Sequence, residues 1–158
     1  MAISVIDATS TGSTGTVMVS GNMPAFSAYQ SSAQTISSGT FTKVQLQTKE
    51  FDTANAFDNT TNFRFTPQVA GYYQVNGCVV TNFYCQCVVL IYKNGANYKQ
   101  GSLGYSASGF SPETNVSSLV YLNGSTDYIE FYIIANASGG LNVGANLNYF
   151  NAALVRAA

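Results

Sequence analysis

The residues best equipped for chemistry in this chain are three thiols, Cys78, Cys85 and Cys87, and a few carboxylates, and no histidine accompanies them. Imidazole is the commonest general base and a usual zinc ligand, so without it a cysteine nucleophile lacks its partner and a zinc site lacks an ordinary donor. Cys85 and Cys87, two residues apart, would share one face of a strand, but no second pair completes a set of four ligands. Their apolar setting suits buried, reduced thiols that act as small hydrophobes. Among the acids, Asp52, Asp58, Asp127 and Glu130 are conceivable partners for glycoside hydrolysis, which needs two carboxylates facing one bond. No spacing singles out a pair. Asp52 and Asp58, in "EFDTANAFDNTTN", could also offer oxygens to calcium, which takes about six to eight, yet the segment lacks that ligand density and reads as a solvated loop. No enzymatic activity and no cofactor are expected.

The elements that would position these groups are set by an unusual composition. Of the 158 residues only 8% are charged, against about 25% in ordinary globular chains, so solubility rests on Asn, Gln, Ser, Thr and Gly. The length fits a single domain with a full core. Six basic residues against seven acidic ones leave a net charge of −1, with no basic cluster to neutralise phosphates, which argues against nucleic acid and against an anionic membrane surface as partners. The opening "MAISVIDATSTGSTG" carries neither the basic start of an export signal nor an apolar run long enough to span a bilayer.

Period-two alternation of apolar and polar residues recurs along the chain, and helical periodicity is never sustained. It predicts strands at Ala25–Gln30, Phe41–Lys49, Phe63–Thr66, Tyr72–Val80, Cys87–Lys93, Tyr98–Leu103, Val116–Leu122, Tyr128–Ala135 and Leu147–Val155. Gly, Asn, Pro and Ser punctuate them. Asn94-Gly95, in "YKNGANY", is a hairpin signal, because both residues tolerate the positive φ of a primed turn. In "NFRFTPQVAGYYQVNG", Pro67 and Gly71 mark a corner between two strands, after which Tyr73, Val75 and Gly77 share one face and Tyr72, Gln74 and Asn76 the other. Many short strands at this spacing in one domain indicate an all-β sandwich or jelly roll.

The order Phe65, Gly71, Tyr73, Val75 resembles the central signature of the C1q-type globular head, part of the C1q and tumour necrosis factor superfamily. Further segments resemble that family in its own order: "PAFSAYQ" at 24–30, "LIYKNG" at 90–95, "LVYLNGSTDYIEFYI" at 119–133 and "YFNAALV" at 149–155. The resemblance covers residues 24–156 and departs from the family pattern upstream of Phe65 and at Ser125-Thr126. It implies a ten-stranded jelly-roll sandwich in residues 24–158 that assembles as a compact homotrimer. The residues tolerate such an assembly, since 10 Phe and 11 Tyr on strands apolar on both faces exceed what one sandwich core consumes. Tyr73, Phe131, Tyr149 and Phe150 fall in segments that the family places near the threefold axis. Their roles stand open between trimer interface and ordinary core.

Residues 1–23 lie outside the resemblance. They read as an arm with two apolar pieces, and Ile3, Val5, Ile6, Val17 and Val19 would be its contacts if it docks on a partner's sheet edge; the alternative is a disordered tail. A head that opens at Met1 with no export signal and no collagen-like or heptad stalk is expected to suit a particle assembled in a cytoplasm. Similar heads occur in bacteriophage fibres and other virion proteins. Two functions are therefore expected. One is a host-recognition head contacting a surface glycan or protein through loops at 106–115 and 136–146, with Ser108, Phe110, Glu113, Asn115, Asn136, Asn142 and Asn146 as candidate contacts. The other is a decoration piece fixed to capsid, neck or tail proteins of the virion by the arm.

Overall fold

A computed structural model describes residues 23–158. Those residues form thirteen strands and no helix: β1 (Ala25–Tyr29), β2 (Thr35–Ile36), β3 (Thr42–Lys43), β4 (Thr48–Asp52), β5 (Phe57–Asp58), β6 (Arg64–Phe65), β7 (Ala70–Val80), β8 (Gln86–Lys93), β9 (Ala96–Tyr105), β10 (Glu113–Asn123), β11 (Ile129–Ala135), β12 (Gly139–Gly140) and β13 (Tyr149–Ala157). Two antiparallel layers carry the fold, one in the order β10-β7-β13-β1-β4 and the other β5-β6-β11-β8-β9. These ten strands are the expected jelly-roll sandwich. β3 adds to β11, and β2 pairs with β12 as a small separate ribbon. The expected docking arm, including Ile3, Val5, Ile6, Val17 and Val19, lies outside the described residues.

Alternation decides which side of each strand is buried. On β7 the inward residues Tyr73, Val75 and Val79 are fully covered, while Tyr72 faces out. On β11 Phe131 and Ile133 point inward, and on β13 Phe150, Ala152 and Leu154 do. The interior is aromatic at its centre. Phe26 stacks on Phe57 and Phe65 with centroids 4.5 Å from each, and meets Phe150 edge-on at 5.5 Å. Gly77 leaves room for this packing, since a Cβ there would stand 2.7 Å from the Phe131 ring.

The expected strand Phe41–Lys49 is two strands in different sheets. β3 pairs with β11 in one layer and β4 pairs with β1 in the other, and the crossing segment buries Val44 and Leu46 in the core. Alternation runs unbroken through both because the same residues face inward as the chain passes from one sheet to the other, so the pattern alone reads as one strand. Other expected strands are placed correctly to within about three residues at each end. Asn94 (φ 54°) and Gly95 (φ 78°) make the predicted tight turn between β8 and β9. The Asn94 side chain also holds the neighbouring loop, accepting from the Tyr128 amide and donating to Asp127.

At one side the two layers are stitched together. Ser102 on β9 and Thr114 on β10 bond to each other's strands, the Thr114 hydroxyl donating to the Ser102 carbonyl and the Asn115 amide to the Ser102 hydroxyl at 3.1 Å.

Candidate association face and recognition surfaces

The outward face of the five-stranded sheet carries three bands, set by the register of its strands. At one end Tyr72 and Tyr121 stand opposite each other on β7 and β10 with ring centroids 5.4 Å apart. Leu119 and Val155 beside them are 55% and 59% exposed. With Arg156, Ala157 and Ala158 they line a shallow cleft of about 500 Å³. Lys93, ion-paired to Asp127 at 2.9 Å, donates to the Tyr121 carbonyl and so fixes the rim of this band.

The middle band is polar and self-satisfied. The Asn76 amide donates to Asn151 Oδ1 at 3.1 Å, Ser117 Oγ donates to Asn76 Oδ1 at 2.9 Å, and Gln74 donates to Ser117 Oγ at 2.9 Å. Three strands are thus crossed by one chain of side-chain hydrogen bonds. The third band aligns Tyr29, Tyr149, Cys78 and Asn115. Burial, and then the charge of Glu113 nearby, push the Cys78 thiol up to about 12.

A second apolar surface lies on β9, at the stitched side, where Leu103 and Tyr105 are 65% and 64% exposed. The two surfaces differ in residues and in strand.

Of the four aromatics expected at a subunit interface, Tyr73, Phe131 and Phe150 are wholly inside the subunit's own sandwich. They have no surface to offer a neighbour. The Tyr73 hydroxyl donates to the Val69 carbonyl at 2.7 Å, and burial raises it to about 12. Tyr149 does reach the outer face, half-buried. On β7 and β10 the aromatics with surface to spare are Tyr72 and Tyr121, neither of which was among the four. A signal for them existed, because Tyr72 shares its side of the strand with Gln74 and Asn76, the side that meets water.

The loop candidates divide. Ser108 is exposed and Phe110, at 85%, is the most exposed large apolar residue among those described. Glu113 and Asn115 are not in the loop, which ends at Pro112, but on β10, paired with Val80 and Cys78. Asn136 is committed to the fold, its side chain accepting from the Gln86 amide and its own amide donating to the Gln86 carbonyl. Asn142 likewise donates to the Thr81 carbonyl at 3.0 Å. Asn146 is exposed.

The four acids are each occupied. Asp52 accepts from the Ala56 and Phe57 amides and pairs with Lys49 at 3.0 Å. Asp58 accepts from the Thr60, Thr61 and Asn62 amides and from the Thr60 hydroxyl and Asn62 side chain. The amides of Thr61 and Thr60 above all hold it well below the usual carboxylate range. Asp127 is lowered by the Asn94 side chain and by Lys93, and Glu130 is paired with Lys43. The loop around Asp52 and Asp58 is therefore not merely solvated but folded about two carboxylates, whose lone pairs face N–H and ammonium groups rather than an open cation site. Among the described residues no group of three or more Cys, Asp or Glu gathers as a metal cluster. Cys87 is pushed up to about 12, by burial first and by Cys85 next.

No protein-family model matches the sequence, and no curated protein sequence does. Solved structures do match. Murine APRIL, at pH 8.5, superposes with a TM-score of 0.59 at 12% identity over 84% of this chain and 99% of that one. Eiger TNF from S. frugiperda superposes with a TM-score of 0.63 at 10% identity over 86% of this chain and 93% of that one. At these identities the likeness is one of fold, and the fold is the TNF-like jelly roll.

Proposed function

We propose that this chain is a non-enzymatic recognition head of a virion, of the kind carried by bacteriophage fibres, in which three copies close about a threefold axis and present their loops to a host surface. The observation that carries the reading is the band of Tyr72, Leu119, Tyr121 and Val155 exposed on the outside of the five-stranded sheet. A cyclic trimer joins two different patches of the same chain, head to tail. The subunit offers two: this band, and Leu103 with Tyr105 on β9. Permanent interfaces of this type bury upwards of about 2,000 Å² and resemble a core cut in half, and the family resemblance of the sequence implies the same assembly. The acids and thiols, each held by a structural partner or by burial, support a binding role over a catalytic one.

Sedimentation equilibrium tests the assembly, with a trimer expected and a dilution-resistant monomer contradicting it. Recombinant protein offered to intact host cells tests recognition, with saturable adsorption expected. Binding to empty capsids or tails and not to cells would instead favour a decoration protein.

A further inference from the structure

A second surface feature lies away from the association face, at the opposite side of the sandwich from the β9–β10 stitching. There the edge strand β4 of one layer and the short strands β5 and β6 of the other border an open groove of about 510 Å³. Its lining is polar and includes Lys49, Asn55, Asp58, Asn62, Arg64 and Gln68.

Arg64 is the unusual member. Its neighbours in register are Asp58 on β5 and Glu130 on β11, an arrangement that invites ion pairs on both sides. It forms neither. Asp58 is filled by backbone amides and Asn62, and Glu130 by Lys43. The Arg64 guanidinium lies instead over the Tyr128 ring, 4.5 Å from its centroid. That contact holds the guanidinium against the ring and leaves its N–H donors uncommitted among the described residues, while Lys49, which also lines the groove, is engaged by Asp52 and Asn55. A planar fork held in this way is pre-organised for bidentate contact with a carboxylate.

The amides around it offer both kinds of hydrogen-bonding group. Among the described residues Asn55 gives its oxygen to Lys49 and keeps its NH2 free, whereas Asn62 and Gln68 spend their NH2 groups on Asp58 and the Thr66 carbonyl and keep their oxygens. Such a mixture matches hydroxyl groups, each a donor and an acceptor at once. Local charge limits the ligand classes: Lys49 and Lys43 are paired with Asp52 and Glu130, and the charge of Asp58 offsets that of Arg64, so the groove holds no surplus for the two charges of a phosphate monoester and a single carboxylate is the most the Arg64 fork can take.

We propose that this groove binds an acidic saccharide, its carboxylate on the fork of Arg64 and its ring hydroxyls on Asn55, Asn62 and Gln68. The proposal rests on the reading of the chain as a recognition head and moves the contact from the loops to a groove between the sheet edges.

The test uses the full chain with two acidic probes, trigalacturonate and 3′-sialyllactose, and two neutral ones, maltotriose and lactose, followed by saturation-transfer NMR and calorimetric titration. At least one acidic probe is expected to bind at millimolar or lower concentration, with both neutral probes about tenfold weaker or worse. Arg64→Ala should lose about tenfold in affinity, Arg64→Lys should recover part of it, and Gln68→Ala, which leaves the stack on Tyr128 untouched, should lose about two- to fivefold. Absence of binding by both acidic probes, equal binding of the neutral ones, or full affinity in both Arg64→Ala and Gln68→Ala overturns the proposal. The two readings fail separately. Cell adsorption without saccharide binding removes the groove and keeps the recognition head, whereas saccharide binding by a chain that ignores cells keeps the groove and removes the head.

Discussion

Phe131 and Phe150 lie face to face across the interior, their ring centroids 5.0 Å apart and their planes within 2° of parallel, one on each layer of the sandwich. The pair is the central tie between the sheets, and Gly77 is the neighbour that admits it. Gly77→Ala would set a methyl against the Phe131 ring, where the ring is boxed in and has no free direction to move. A loss of about 1–3 kcal/mol is expected, as for other overpacked cores. Phe150→Ala should cost about 3–5 kcal/mol. Urea unfolding of the two variants measures both, and a change in oligomeric state at unchanged subunit stability would contradict the placement of Phe150.

The converse holds for Tyr121 and Leu119. The double substitution Tyr121→Ser, Leu119→Ser removes apolar surface that faces water in the isolated subunit. It should leave the secondary structure intact and weaken self-association by about tenfold or more, as loss of a central interface anchor does. Sedimentation over a dilution series reads the effect.

Acid should destabilise the chain through Asp58 and Asp127. Both carboxyls are held below their ordinary values in the folded state, so their contribution is complete above the unfolded-state pKa of about 3.9 and is lost as pH falls through the lower folded values. Stability is thus expected to decline below about pH 4. Asp58→Asn, which keeps the shape and loses the charge, should flatten part of that decline. An unaltered pH profile in this variant would show that the loop is not held by the carboxylate.

Two of the thiols should be inert while the fold stands. Burial pushes Cys78 and Cys87 up to about 12, and the thiolate is the reacting species. Labelling with iodoacetamide at pH 8 should therefore leave both unmodified, and modification should appear together with unfolding in denaturant. Peptide mass mapping distinguishes the sites.

Phe110 separates stability from recognition. At 85% exposure it has little packing to lose, so Phe110→Ser should change stability by no more than about 0.5 kcal/mol. If the loop at 106–112 takes part in host contact, adsorption of the variant to cells should fall while its unfolding midpoint stays in place.

Strand content and the Asn94-Gly95 turn were legible because each depends on local alternation and turn chemistry, whereas the ten-stranded layering was implied by the family resemblance. Which side of a strand faces in was harder where both sides carry aromatics. Tyr72 and Tyr73 are adjacent and of one type, and only Tyr72 keeps surface outside its own sandwich. The partners on each side, Gln74 and Asn76 against Val75 and Val79, hold the answer. The crossing at Val44–Leu46 was hidden for another reason, since a strand that changes layers keeps its inward residues inward. The groove at Arg64 was out of reach altogether. Asp58, Arg64 and Glu130 are brought side by side by the pairing of β6 with β5 and β11, and no spacing in the chain announces it.

The position of β13 bears on biosynthesis. That strand is hydrogen-bonded to β7 on one side and β1 on the other, so it is the wedge on which both halves of its layer close. A ribosome adds about 5–20 residues per second, and until residue 157 has cleared the exit tunnel β1 and β7 have no common neighbour. The five-stranded layer can therefore close only once β13 has emerged from the ribosome.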